Sequence, residues 1–494
     1  MTLPAGIAFA AAPPARVDFT PHPYWTVARI WAALHPAASG QGGGRPFAAA
    51  PVDDRAVRAI VTDTRTVQPG DCFVALRGER FDAHDFLADA QAAGAVAVIV
   101  ERPEAAVGLR VPVIVVGDTL RAYGQLAAHW REVWRGVPSG GVVIGVAGSN
   151  GKTSTKELLV AALGSLHAIH ATRGNLNNLI GVPATLLALP PSADVAVVEM
   201  GTNFPGEIAR LNAIVRPDIT IITSIGEEHL EGLGSLEGVL REEADAAAGA
   251  SWCIIPGDDA AIAERLTRVI GARAARVRRA GLDAGDLRAD AWAIHDDGCC
   301  SMQLDGVTVR LPIVGTHNAR NTMLVLAAAQ LLGVPLDRVA QGIATMAAPS
   351  MRSSVSALGA AGGVLLNDAY NSNPPSAKAA IDTVVRIGGG APRQRVAVLG
   401  TMRELGAQSD ALHDEVLRHA LASPLDLIVA VGDFAASADR IAAPVERVLR
   451  APTRDAIWPA LEPRLTPDVV LLLKASRGVA LEALLPILSQ WSER

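Results

Sequence analysis

The chain has 494 residues, half of them apolar, with 44 Lys and Arg against 50 Asp and Glu and a net charge of −6. That length suits about three domains, and an acidic balance without a long basic run argues against a nucleic-acid partner. Four cysteines (Cys72, Cys253, Cys299, Cys300) lack zinc spacing, and no apolar run reaches the ~18 residues of a bilayer span. A cytoplasmic protein without stable membrane insertion is expected.

Residues 1–16 are rich in Ala and Pro and lack the basic start of a signal peptide, which predicts a disordered extension. Residues 17–138 alternate short apolar runs (Val57–Val61, Cys72–Leu76, Ala95–Val100, Val111–Val116) with helical patterns such as Asp85–Ala93, predicting a small α/β domain. Within it, 36–51 reads as a loose Gly/Ala/Pro-rich surface loop. Two polar clusters stand at strand ends, Asp63-Thr64-Arg65 and Phe81-Asp82-Ala83-His84-Asp85. Turn chemistry and ligand binding explain them equally well.

Pro138-Ser139-Gly140-Gly141 marks a boundary, and residues 139–350 form the central unit. Its strands (Val142–Val146, Val195–Met200, Ile219–Ile225, Cys253–Ile255) show little alternation. Such runs are buried on both faces, which predicts a mostly parallel sheet flanked by helices. Ligands gather at the carboxyl ends of such strands. The first strand ends in Gly145-Val146-Ala147-Gly148-Ser149-Asn150-Gly151-Lys152-Thr153-Ser154 and then opens a helix. Strand, glycine turn and helix N-terminus make a phosphate cradle, because the first N–H groups of a helix lack intrahelical partners. Lys152 can reach terminal phosphate oxygens and the Thr153 hydroxyl can ligate Mg²⁺. The strict P-loop pattern asks for glycine where Val146 stands.

ATP with Mg²⁺ is therefore the expected ligand pair. Glu199 ends the second strand and His229 follows the third, so Thr153, Glu199 and His229 are candidate metal ligands. Asn175, Asn177 and Asn178 place three amides in four residues, enough for a polar substrate. Gly315-Thr316-His317-Asn318-Ala319-Arg320-Asn321 precedes a helix expected over Asn321–Leu332, and one of these residues could be its N-cap. Residues 351–494 predict a second open, Rossmann-like sheet from the strands Val364–Leu366, Val396–Leu399, Leu427–Val431 and Val469–Leu473. No nucleophile turn, hydrolase His pair or kinase catalytic loop occurs. The substrates must then react with one another while the protein positions them.

The stretch 148–154, with Glu199-Met200-Gly201, His229 and Gly315–Asn321, resembles the Mur ligases over nearly the whole chain after about residue 55. Asp63-Thr64-Arg65, Asn367–Pro374, Leu399–Gly406 and Lys474-Ala475-Ser476-Arg477-Gly478 point within that family to the addition of D-alanyl-D-alanine to UDP-N-acetylmuramoyl-tripeptide. The resemblance implies three domains, holding in turn the uridine nucleotide, ATP with Mg²⁺, and the incoming dipeptide, in an enzyme expected to be a monomer. It implies an acyl phosphate formed from the tripeptide carboxylate and ATP, then attack by the dipeptide amine.

By the same likeness Lys152, Glu199, His229, Glu243 and Arg352 carry catalysis. Gly148, Ser149, Asn150, Gly151, Thr153 and Ser154 bind phosphates, and Asn318 and Asn321 lie on the adenine side. Arg352, Asp368 and Tyr370 close over the nucleotide. Asp63, Thr64, Arg65, Asn175, Asn177, Asn178, Asn371, Asn373, Lys474, Ser476 and Arg477 meet the substrates. The chain departs from the family at Thr64, where serine is usual, and at Ala83 and Ala475, where glycine is usual. Ala475 requires a backbone outside the left-handed region. Related ligases also place, a fixed distance after a Gly-Ser pair, a lysine that takes up CO₂ as a carbamate. Counting from Gly234-Ser235, that position is Glu243, which suggests a permanent carboxylate near the metal. The competing readings are a folylpolyglutamate-type ligase, a small-molecule kinase or P-loop ATPase, and a nucleotide-binding scaffold without catalysis.

Overall fold

The near-continuous Val, Ile and Leu runs form strands whose two faces are both covered. The structure is a computed structural model that describes residues 24–35, 54–78, 81–137, 141–347, 351–388 and 393–493. The expected extension at 1–16 and the loop at 36–51 lie outside the described residues. By internal contacts the chain forms two units: residues up to 143 with 170–198 and 210–216, and residues 144–169, 199–209 and 217 onward.

In the first unit, strands Ile60–Val61, Cys72–Val74, Ala97–Val100 and Val113–Val115 lie side by side in chain order, all parallel. Cys72–Val74 and Ala97–Val100 are buried throughout. The helix Thr119–Arg135 starts where Asp118 accepts the Arg121 N–H, and it buries Tyr123, Leu126, Trp130 and Trp134. The indole N–H groups of Trp130 and Trp134 donate to the carbonyls of Leu189 and Ala193 at 2.9 and 3.1 Å. Buried indoles need such acceptors, and these two fasten segment 170–198 to the helix.

In the second unit, parallel strands Leu287–Arg288, Val277–Gly281, Trp252–Pro256, Ile219–Ile222 and, from Ile144 on, Val142–Ala147 follow one another in space. The strands at 277–281 and 287–288 were not expected, since their charged residues hide the apolar pattern. The helix packed on the phosphate turn spans Thr316–Leu331. It begins five residues before the expected start, with Gly315 as its N-cap and no side-chain cap bond. Asn318 and Asn321 therefore belong to its first two turns, and both are buried there. A polar first turn conceals a helix that is covered nearly all round. Strands Ala291–Ile294, Cys299–Leu304 and Val307–Val314 add an antiparallel sheet that the parallel reading did not include.

The last sheet runs Ser354–Leu358, Gly363–Asp368, Val470–Lys474, Arg395–Gly400, Leu427–Val431, Val448–Ala451. All its pairs are parallel except the first. Successive side chains point to opposite faces: Leu427, Val429 and Val431 enter one hydrophobic cluster, Ile428 and Ala430 the other. The four expected strands are present. The two edge strands were missed: Ser354–Leu358 is mostly exposed, and Val448–Ala451, buried at both ends, carries Arg450 in its half-buried middle. Among the described residues, no helix is long and apolar enough to cross a membrane.

Candidate active site

The turn after Val142–Ala147 is built by two glycines with left-handed backbones, Gly148 (φ +110°) and Gly151 (φ +86°). A Cβ on Gly148 would lie 2.6 Å from Thr223 Oγ1, and one on Gly151 would lie 2.6 Å from Asn321 Nδ2. Neither position tolerates a side chain. The turn is fastened to the end of the neighbouring strand. Ser149 N–H donates to Ser224 O (2.8 Å), Asn150 N–H to Ser224 Oγ (2.8 Å), and Thr223 Oγ1 to Asn150 O (2.6 Å). Ser149 Oγ exchanges bonds with Gly226. The helix Lys152–Leu163 then starts at Gly151 without a side-chain cap, so its first N–H groups have no intrahelical partner, the arrangement by which helix N-termini bind anions.

Lys152 Nζ is folded back on its own turn, donating to Gly148 O (2.5 Å) and Ser149 O (3.2 Å), with Glu228 Oε1 at 3.8 Å. Burial acts to lower its pKa, but Glu228, Glu243 and Glu199 more than offset that and hold it above the ordinary lysine value. The ammonium stays charged. Thr153 Oγ1 donates toward both oxygens of Glu199, at 3.0 and 3.2 Å. A hydroxyl and a carboxylate thus meet at two strand ends.

Glu243 is fully buried, not an exposed helix residue. Its Oε2 accepts the Gly148 N–H at 2.6 Å, and its Oε1 has no hydrogen-bond partner. Desolvation pushes its carboxyl up to about 7, against the pull of Lys152. Its neighbour Glu242 is a structural residue. It accepts N–H groups of Gly206 (2.7 Å) and Ile208 (2.8 Å) and the Thr202 hydroxyl (3.1 Å), which caps the helix Glu207–Val215. His229 Nδ1 lies 2.5 Å from Glu404 Oε2, and its Nε2 lies 3.8 Å from Glu228 Oε2. Desolvation lowers the His229 pKa, but Glu404 and Glu228 raise it further, and the net shift is upward. Glu228 is buried and its pKa is raised, chiefly by desolvation. Sequence reasoning missed both Glu228 and Glu404. The Glu227-Glu228-His229 run at a strand end was the available signal for the first.

The loops of the last sheet converge on a second cluster. Lys474 Nζ contacts Asp368 Oδ2 (2.5 Å) and Asn371 O (2.7 Å), and Asp368 Oδ1 accepts the Ser353 N–H. The Arg352 guanidinium sits 4.0 Å over the Tyr370 ring, with Arg477 5.9 Å from the same ring. Asn373 caps the helix Pro374–Arg386 and donates from Nδ2 to Asn150 Oδ1 at 2.9 Å, so this cluster touches the phosphate turn directly. Ser476 Oγ accepts the Arg403 N–H (2.9 Å) and donates to Ser372 O (3.3 Å). Ala475 lies outside the left-handed region, as its side chain requires. Asn318 Nδ2 donates to Val314 O, while its buried Oδ1 has no hydrogen-bond partner.

The remaining candidates lie in the first unit. Asp63 pairs with Arg65 (2.6 Å) and opens the short helix Thr64–Thr66. Asn178 Oδ1 accepts the N–H groups of Ile180 and Gly181, and Asn177 N–H donates to Asn175 O. Asn178 is thus fixed by turn chemistry.

Three family models match: the Mur ligase family catalytic domain over residues 56–131, the Mur ligase middle domain over 146–329, and the Mur ligase glutamate ligase domain over 355–477. A UDP-N-acetylmuramoyl-tripeptide–D-alanyl-D-alanine ligase of Synechocystis is 38% identical over 437 residues, covering 87% of this chain and 92% of that relative. The chain belongs to the Mur ligase family. A crystal structure of MurF from Acinetobacter baumannii matches this Mur ligase with a TM-score of 0.82 and 31% identity, over 94% of this chain and 99% of that one. A MurF ligase from Thermotoga maritima in complex with ADP matches with a TM-score of 0.76 and 27% identity, over 88% and 98%. The chain thus has the family's α/β fold of N-terminal, central and C-terminal domains, and it is a ligase that forms a C–N bond.

Proposed function

We propose that this Mur ligase joins D-alanyl-D-alanine to UDP-N-acetylmuramoyl-tripeptide with conversion of ATP to ADP and phosphate, a cytoplasmic step of peptidoglycan precursor synthesis. Its likeness over 87% of the chain to a ligase of that name carries the substrate assignment. The phosphate turn supplies the chemistry. Residues 17–138 take the uridine nucleotide, 139–350 take ATP, and 351–494 take the dipeptide, in a monomer.

The tripeptide carboxylate attacks the γ-phosphorus, the bond from that phosphorus to the bridging oxygen breaks, and ADP leaves. The dipeptide amine, as the free base, then attacks the acyl carbon. The C–O bond to phosphate breaks, and the nitrogen releases a proton. Both partners of the first step are anions. Lys152 leaves the carbonyls of Gly148 and Ser149 for the terminal phosphates, and the helix N-terminus adds its partial positive charge. Groups fixed beforehand where charge develops are worth about 10²–10³ each in rate.

Thr153 and Glu199 fit a magnesium ion, which takes one or two protein oxygens and completes its shell with phosphates and water. Among the described residues no three His, Cys, Asp or Glu are grouped so as to hold a metal ion. When bound, the ion would neutralise phosphate charge. Glu243 is read as a permanent carboxylate beside the turn, doing without CO₂ the work of a carbamate; His229 is the remaining candidate ligand. The supporting observation is the buried Glu243 Oε1 without a partner.

Phosphate release tests the reading, with ATP, Mg²⁺, the muramoyl-tripeptide nucleotide and D-alanyl-D-alanine each omitted in turn. Release only with all four present is expected. A stable phosphorylated product without the amine would instead indicate a kinase, and turnover with glutamate in place of the dipeptide would indicate a folylpolyglutamate-type ligase.

A further inference from the structure

Four titratable side chains run from the phosphate turn to the loop Thr401–Gly406. Lys152 Nζ and Glu228 Oε1 are 3.8 Å apart, Glu228 Oε2 and His229 Nε2 are 3.8 Å apart, and His229 Nδ1 and Glu404 Oε2 are 2.5 Å apart. The last two residues both hold left-handed backbones without being glycine, at φ +49° and +66°. Such conformations are strained and persist only where the surroundings enforce them. Here the surroundings are mutual. The Glu231 N–H donates to Glu404 O (3.1 Å), and Gln408 Nε2 reaches Gly234 O (3.5 Å). Leu230, Leu233, Met402 and Leu405 share one hydrophobic cluster. The loop continues to the Ser476 segment through the bond from Arg403 N–H to Ser476 Oγ.

We propose that Glu404 is a positioning residue that ties the Thr401–Gly406 loop, and with it the Ser476 loop, to the state of the phosphate turn through His229 and Glu228. Glu404 does not touch the nucleotide; it acts through His229. Glu228 is shared between Lys152 and His229. When phosphates draw Lys152 away, Glu228 keeps His229 alone, and the His229–Glu404 pair is held harder against the central strand ends. A ligand that favours one arrangement in this way changes the affinity of a second ligand whose loop moves with it. Nucleotide binding thereby raises the affinity for the amine substrate. The kinetic arm of this inference rests on the reaction proposed above; the structural arm does not.

The test compares the parent with Glu404→Gln, which keeps the size and removes the charge, and Glu404→Asp, which restores the charge. The KM for D-alanyl-D-alanine is expected to rise about tenfold in Glu404→Gln, within the usual span of coupling between sites. The affinity for ATP measured in the absence of the dipeptide should change less than about twofold, and Glu404→Asp should recover part of the loss. Hydrogen exchange gives a readout independent of turnover: ADP with Mg²⁺ should slow exchange over residues 401–408 in the parent and leave it unchanged in Glu404→Gln. An equal loss of ATP affinity in the absence of the dipeptide would mark a merely structural residue and overturn the proposal, as would ADP-induced protection that survives in Glu404→Gln or is absent from the parent. If the parent makes no amide product yet shows the Glu404-dependent protection, the proposed reaction fails and the coupling stands.

Discussion

Two lysines stand at or just beyond the carboxyl ends of parallel strands, Lys474 buried and Lys152 partly so, and they are opposites. Lys474 has a carboxylate at 2.5 Å and a carbonyl at 2.7 Å, both from the loop it supports. Lys152 has only two carbonyls of its own turn and a carboxylate at 3.8 Å. The first cluster is closed on itself and holds a loop in shape. The second is open: its cation leans on weak acceptors, and Glu243 and Glu228 each keep a buried oxygen without a hydrogen-bond partner. An open cluster is the one that gains by taking a ligand, so a lysine's neighbours say more about its role than its burial does.

The contrast can be broken most forcefully at the closed end. Lys474→Met strands the Asp368 carboxylate and should destabilise the protein by about 3–5 kcal/mol, read as a lower denaturant midpoint. A midpoint unchanged from the parent would remove the distinction. At the open end, Glu199→Gln should slow phosphate release by about 10²-fold with a smaller midpoint shift, and raised Mg²⁺ should recover part of the rate. Glu243→Gln should slow the reaction about tenfold, as loss of a supporting carboxylate does, while bicarbonate leaves the parent rate unchanged. Strong bicarbonate dependence would contradict a permanent carboxylate there.

The smallest effect belongs to another closed cluster, in the first unit. Desolvation acts to raise the pKa of Asp82, but bonds from the His84 backbone and ring and from Arg102 prevail and hold it down to about 2. A carboxylate depressed on folding stabilises above its unfolded pKa and loses that contribution as pH falls through the folded one. Thermal melts from pH 5 down to pH 2 should therefore show a parent acid limb that is shallower in Asp82→Asn. Identical limbs would show that the pair contributes nothing.

Much of this was legible in the sequence where backbone chemistry leaves a residue signature. Gly148 and Gly151 announce the turn because no other residue fits their backbone and their close neighbours, and Thr153 with Glu199 followed from strand ends in a parallel sheet. The strands at 277–281 and 448–451 did not show, since charged residues interrupt their apolar pattern. The start of the Thr316–Leu331 helix was misplaced because its first turn is polar yet buried. Glu242 and Glu243 could not be told apart by pattern: adjacent on one helix, one caps a neighbouring helix and the other faces Gly148. Glu404 was invisible because its partner, His229, lies 175 residues away in the chain.

Titration calorimetry of ATP with Mg²⁺ into the parent and into Lys152→Ala, with amide formation followed on the same samples, tests most directly whether the open cluster is where the triphosphate docks. ATP affinity lower by at least about tenfold together with a joining rate lower by about 10²–10³ is the predicted result. Undiminished binding and joining by Lys152→Ala would contradict it.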